Sequence, residues 1–396
     1  MPNPRTADLR IQALVFALVC AAFTSVYVTQ PVLPILELEF GVSAASASST
    51  ISAVIAGIAI ASLPSGWLAD RVAIRRLIAI GGAMLVACCV VVAATHSFAL
   101  LVAVRFVQGL FVPALTTCIA AYLARSLDAR RLNVAMGAYV SATVAGGLGG
   151  RLLGGWIHPP LHWRYAFVTT AVLIALATVA SLSCLPRESA MRATRHDDRG
   201  YLELVREPRL VAIFFTAAGA FCVFSSVFSF FPFYLAAPPL SVSTSIITAM
   251  YLTYVVGIFI GPLAGRISNR LGSGSTLMSA AVLFALALLG TLLAWLPVLI
   301  LCLLVVCAGF FAIHASAVGA LNRSVTASRG RANALYMLFY YLGGAIGINA
   351  SGALYTRHGW RGVVLFNVVV LVVPFATGMA VHRRARRGAT DPLEIP

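Results

Sequence analysis

The sequence predicts an all-α polytopic membrane protein, with twelve transmembrane helices in two pseudo-symmetric six-helix bundles. Composition is the first observation behind that reading. Of 396 residues, 60% are hydrophobic and 10% charged, against roughly 45–50% and about 25% in soluble domains. The second is length, because apolar runs of the roughly 20 residues that cross a bilayer recur from end to end. The third is an internal echo. Gly66, Leu68, Ala69, Arg71 and Arg75 recur in register as Gly261, Leu263, Ala264, Arg266 and Arg270, and Trp163-Arg164 recurs as Trp360-Arg361 at nearly the same spacing. One unit is written twice, with a short basic motif between apolar segments of each copy, which is the pattern of a two-bundle transporter.

In the first half the apolar runs occupy 11–36, 44–69, 77–95, 98–124, 133–157 and 164–185. Arg5 and Arg10 ahead of the first run give it the look of a signal peptide. It is too long for a signal h-region, however, and Gln30, Pro31 and Pro34 interrupt it before any plausible cleavage site, so it stays as the first transmembrane helix. In the second half the runs occupy 209–235, 244–266, 276–295, 297–321, 332–356 and 361–381. The expected domains are an N-terminal bundle at 1–186, a cytoplasmic linker at 187–208, a C-terminal bundle at 209–381 and a cytoplasmic tail at 382–396. The linker is the one long polar stretch inside the chain, with acids and arginines interleaved through Arg195-His196-Asp197-Asp198-Arg199. Its composition suits a tether between two bundles that move against each other.

The chain contains no lysine, so arginine sets the orientation. With the N-terminus in the cytoplasm, the inner segments hold Arg71, Arg75, Arg76, Arg130, Arg131, Arg383, Arg384 and most of the others, and the outer segments only Arg164, Arg357 and Arg361. The positive-inside rule then places both termini in the cytoplasm. The net charge of +16 follows from topology and contact with anionic lipid, and needs no nucleic acid. All eight cysteines fall within apolar spans, without metal-ligand spacing. A P-loop is excluded because its lysine is missing. No cofactor, no metal and no catalytic residue is expected. The expected partners are a small-molecule substrate, protons and membrane lipid, and the expected working state is a monomer.

The loop between the second and third spans fits the pattern G-x-L-A-D-R-x-G-R-K at Gly66, Leu68, Ala69, Asp70, Arg71 and Arg75, and departs from it at Ala73 and Ile74. The fourth span carries R-x-x-Q-G at Arg105, Gln108 and Gly109. The fifth fits the antiporter pattern G-x8-G-x3-G-P-x2-G-G at Gly137, Gly146, Gly150, Gly154 and Gly155, with Arg151 where proline is expected. In these motifs the chain resembles the major facilitator superfamily over nearly its whole length. The run Gly146 to Leu152, Gly309 to His314, Tyr336 and Tyr340 to Gly343 resemble the YnfM-type branch of bacterial permeases. The resemblance implies the family's fold and a multi-pass bacterial inner-membrane protein. It also implies proton-linked export of a drug, metabolite or organic anion by rocking of two bundles around a midplane site. An uptake permease of the same fold is the alternative. A transporter-derived sensor or membrane enzyme fits less well, since no acid or histidine cluster lies at one membrane face.

Asp70 ends the second helix, and a carboxylate facing the start of the eleventh would gain roughly 0.3–1 kcal/mol. Gly66, Asp70, Arg71 and Arg75, with Asp128 of the next cytoplasmic loop, are therefore expected to gate. Arg105 and Arg151 lie inside spans, where each costs at least roughly 2.5–3.5 kcal/mol. Arg105 is expected to couple protonation to movement. Arg151 has two open readings, attraction of an anionic substrate or satisfaction of backbone carbonyls on the glycine-rich fifth helix. Gly146, Gly150 and Gly154 let another helix approach closely, in a sliding or a static seam. In the implied fold, helices one, four, seven and ten line the cavity. Tyr27, Gln30, Arg151, Phe224, Phe228, Tyr336 and Tyr340 are thus the substrate candidates, although the phenylalanine stripe also suits bundle core. No acid sits mid-membrane. His314, which titrates near about 6.5 when unperturbed, is the expected coupling residue beside Arg105, with Glu37 at the outer end of the first helix as the alternative acid.

Overall fold

The computed structural model describes residues 4–126, 129–184, 200–325 and 329–386. Every regular element among them is helical. The first half contains α1 (Pro4–Tyr27), a 3-10 turn at Gln30–Val32, α2 (Leu33–Phe40), α3 (Ala44–Arg71), α4 (Ile74–Ala94), α5 (Phe98–Leu115), α6 (Thr117–Ser126), α7 (Ala129–Ile157) and α8 (Arg164–Cys184). The second contains α9 (Tyr201–Arg206), α10 (Pro208–Ala236), α11 (Thr244–Met250), a 3-10 turn at Tyr251–Val255, α12 (Val256–Leu271), α13 (Ser273–Gly290), α14 (Leu296–Ser324), α15 (Arg329–Val370) and α16 (Val372–Arg386).

Ten stretches among the described residues are long and apolar enough to cross a membrane. One of them, Gly330–Arg383, is 54 residues long and holds two of the expected spans, divided at Gly359 (φ 60°, ψ −153°). α7 is 29 residues long but rich in glycine and interrupted by Arg151; it supplies the fifth span. The twelve expected helices are therefore accounted for. Prolines accompany two of the other breaks, because each lacks the N–H that would reach the carbonyl four residues back. Pro31 and Pro34 separate α1 from α2, and Pro374 follows the turn at Leu371 between α15 and α16. The sequence reading passes over α9, which buries Leu204 while leaving Leu202 exposed.

Large apolar side chains such as Leu176, Val179, Leu283, Leu286 and Val369 are more than half exposed. In water that outer surface would be costly; against lipid it is the solvent-matched face.

The chain forms two compact units, Met1–Val32 with Ala53–Arg195, and Leu33–Ser52 with His196–Pro396. Within the first, α1 packs on α7, and α4 on α5 and α8. Within the second, α10 packs on α15, and α13 on α14 and α16. In span order the same pairs meet in each half, as a duplicated unit requires.

The C-cap of α4 is Thr95 and that of α13 is Thr291. In the first unit Arg164 Nη2 donates to the Thr95 carbonyl at 2.8 Å. In the second, Trp360 Nε1 donates to Thr291 Oγ1 at 3.0 Å and the Tyr234 hydroxyl to the Thr291 carbonyl at 3.2 Å. The repeated Trp-Arg pair thus marks a fastening point at the end of the third helix of each copy.

Candidate functional site

The break after α1 sets up the polar centre of the first unit. A helix end leaves its last carbonyls without intrahelical donors, and Pro31 removes one donor outright. Arg105, wholly buried on α5, donates to two carbonyls of the last turn. Its Nη1 donates to the Ser25 carbonyl at 2.6 Å and to Gln108 Oε1 at 2.7 Å, and its Nη2 donates to the Val26 carbonyl. A cation at a helix C-terminus is the favourable sign for the helix dipole. Gln108, one turn along α5, in turn donates to Cys89 Sγ at 3.6 Å. The R-x-x-Q-G motif is thus one connected network, and its function in the fold is to hold the broken first helix.

Arg151 of α7 reaches the same break from another side. Its Nε donates to Gln30 Oε1 at 2.7 Å, its Nη1 to the Gly147 carbonyl at 2.8 Å, and its guanidinium lies 4.0 Å from the centroid of the Tyr27 ring. Arg151 thus meets a backbone carbonyl of its own glycine-rich helix and forms a polar cluster with Tyr27 and Gln30. All three side chains are buried. Cation–π contact of this kind contributes about 2 kcal/mol or more where water is excluded.

Arg151 is held in register by glycine. A Cβ at Gly146 would lie 2.8 Å from Phe23 Cβ and 2.9 Å from Cys20 Cα, one at Gly150 3.0 Å from Thr24 Cα, and one at Gly154 2.9 Å from the Val28 carbonyl carbon. The helix that the three glycines admit is α1. Thr24 Oγ1 completes the seam by donating to the Gly146 carbonyl at 3.3 Å. The second unit carries the twin of this seam, with Gly343 against Ala218 and Gly347 against Cys222, where α15 meets α10. That twin was readable in the four-residue spacing of Gly343, Gly347 and Ser351, and the sequence reading missed it.

In the second unit the aromatic stripe of α10 is buried. Phe224 stacks on Phe310 with centroids 4.0 Å apart, Phe221 stacks on Tyr340 at 3.9 Å, and Phe224 meets Phe228 at 4.5 Å. His314 adjoins this cluster, its ring 5.2 Å from Tyr340 and 6.0 Å from Phe310. Its Nδ1 shares a hydrogen bond of 2.9 Å with the Tyr336 hydroxyl. Pro232 leaves the Phe228 carbonyl without an α-helical donor, and the Tyr251 hydroxyl donates to it at 3.0 Å. Beside Pro232 lies a small, partly open apolar pocket lined by Phe228, Phe231, Pro232, Ile247, Met250, Tyr251 and Leu303.

Glu37 stands apart from these groups. It is half-buried on α2 and accepts a hydrogen bond from the Ala44 N–H at the start of α3. At the other end of α3, the Arg71 guanidinium lies over the exposed Trp67 ring, 4.4 Å from its centroid, and Arg75 is half-exposed on α4. Gly66 and Asp70 belong to α3, but their surroundings lie outside what the structure describes, as does Asp128. Among the described residues no group of three or more histidine, cysteine, aspartate or glutamate side chains could hold a metal ion.

Comparison with known proteins follows the same outline. The chain is 27% identical over 390 residues to the inner membrane transport protein YnfM of Escherichia coli K12, covering 95% of this chain and 91% of that protein. It is 26% identical over 373 residues to the uncharacterized MFS-type transporter YybF of Bacillus subtilis, covering 92% of each. Its fold superposes on a bacterial homologue of the human lysosomal transporter Spinster, solved in an inward-facing and occupied conformation, with a TM-score of 0.74, 18% identity and 97% of each chain covered. The model of the Major Facilitator Superfamily matches residues 15–321 and 244–394, and the chain therefore belongs to that superfamily as a multi-pass membrane transporter.

Proposed function

We propose that the chain is a proton-coupled exporter of small organic anions, working by alternating access as a monomer in a bacterial inner membrane with both termini cytoplasmic. The observation that carries the anion reading is the charge inventory of the spans. Arg105 and Arg151 lie buried within them, the acids Glu37 and Glu39 sit at the outer end of the first, and among the described residues a cationic substrate would meet no buried carboxylate along the remaining spans. Export is favoured by the antiporter-type glycine spacing on α7, and coupling is assigned to His314 with Arg105. In this reading Arg151 with Gln30 and Tyr27 supplies the anion contact. Asp70, Arg71, Arg75 and Asp128 gate at the cytoplasmic face, and Glu37 is the second candidate for proton uptake.

Respiring inverted vesicles offered a panel of radiolabelled carboxylates test this reading. Accumulation that a protonophore abolishes is the expected result. Accumulation only in right-side-out vesicles would make the chain an uptake permease, and preference for organic cations would remove the anion assignment. Cysteines at Ser189 and Thr390 in a cysteine-free background should label only from the cytoplasmic side; labelling by an impermeant reagent outside intact cells overturns the topology.

A further inference from the structure

Tyr336 is wholly buried, and the only hydrogen bond its hydroxyl makes among the described residues is with His314 Nδ1. His314 is half-buried, and its other nitrogen, Nε2, has no hydrogen-bond partner among the described residues. That asymmetry decides which atom holds the shared hydrogen. A tyrosine hydroxyl carries one hydrogen and a neutral imidazole one N–H and one lone pair. If Nδ1 donated, the phenol hydrogen would be a buried donor with nothing to meet, which costs more than the bond gains. If the phenol donates, the wholly buried hydroxyl is satisfied, and the one hydrogen left without a partner among the described residues is the imidazole's, on Nε2 of the half-buried ring. The ring is also braced against turning over, by Phe310 at 6.0 Å with planes 16° apart and by Tyr340 at 5.2 Å.

We propose that Tyr336 is a positioning residue that fixes His314 in a single neutral tautomer, with Nδ1 accepting and Nε2–H as the donor at its accessible edge. Such an edge suits a carboxylate or carbonyl oxygen of a substrate. It has no lone pair to offer an arriving proton. For the ring to charge, the incoming proton must end on Nδ1, and the Tyr336 hydroxyl must turn from donor to acceptor. Proton uptake and reorientation of one hydroxyl are therefore the same event. The inference deepens the reading of His314 as the coupling group, and the tautomer is tested without measuring transport.

Diethyl pyrocarbonate acylates a neutral imidazole through the nitrogen that bears the lone pair. The purified full-length protein is treated in mildly alkaline buffer and the labelled peptides are followed by mass spectrometry, with the exposed His358 as internal reference. In wild type, His314 should label at least about tenfold more slowly than His358, because its only lone pair is covered by Tyr336. Tyr336→Phe should speed His314 labelling about tenfold by populating the tautomer with its lone pair on Nε2. Tyr340→Phe, which keeps that hydrogen bond, should leave the rate as it was. Wild-type His314 labelling as fast as His358 would overturn the proposal with no variant needed. An unchanged rate in Tyr336→Phe, or equal acceleration in Tyr340→Phe, would overturn it as well. If labelling behaves as expected while His314→Gln still concentrates substrate against a gradient, the coupling assignment falls and the tautomer stands.

Discussion

Replacing Gly146 by alanine tests the seam that holds α7 to α1. The new Cβ would stand 2.8 Å from Phe23 Cβ and 2.9 Å from Cys20 Cα, where ordinary contact begins at 3.4 Å. The atom it would meet first is the Cys20 carbonyl oxygen, so the two helices must part, and the obstacle is backbone with no rotamer to yield. Overpacking of this kind costs about 1–3 kcal/mol. Gly137 lies on the same helix with nothing within 4 Å of its would-be Cβ. There alanine brings only its better helix propensity, about 1 kcal/mol. The same propensity gain offsets part of the overpacking at Gly146, so at about 2–4 °C per kcal/mol Gly146→Ala should melt up to about 8 °C below wild type, and Gly137→Ala no lower than wild type. Melting of the detergent-purified variants, followed by loss of the monodisperse peak on size-exclusion chromatography, reads both. If Gly146→Ala melts no lower than Gly137→Ala, the seam does not hold the helices as argued.

Arg105→Leu removes the donors to the Ser25 and Val26 carbonyls, each worth about 1–3 kcal/mol once orphaned; a marked fall in melting temperature and near-total loss of transport are expected. Arg105→Lys should recover little, since an ammonium cannot reproduce the planar fork. Arg151→Ala should raise the KM for an anionic substrate while Arg151→Lys retains part of the affinity; equal KM in wild type and Arg151→Ala would leave this arginine as support for its own helix. Tyr251→Phe strips the Phe228 carbonyl of its donor, which should lower stability by about 1 kcal/mol and leave the direction of transport as it is.

The helices were legible because apolar length is a strong signal and prolines mark the breaks, as at Pro31 and Pro34. α9 was not, because six residues carry too little periodicity. Arg105 and Arg151 stand out in sequence because a buried charge is expensive. What they hold does not, since Ser25 and Val26 contribute backbone carbonyls that no side chain announces. The glycines of α7 declare close approach through their spacing, but nothing in it names α1 as the helix approached. His314 and Tyr336 are both visible as polar groups within apolar spans. Their pairing depends on how α14 and α15 are rotated about their axes, which sequence spacing within one helix does not specify.

The threonine fastenings show what the duplication has kept. In one copy a guanidinium meets the carbonyl of Thr95. In the other, a tyrosine hydroxyl meets the carbonyl of Thr291 and an indole meets its side chain, while Arg361, the counterpart of Arg164, is exposed. The place where a helix end is tied down recurs in both copies, and the chemistry of the tie differs. Ancestry here is better measured by which positions must be anchored than by which residues do the anchoring.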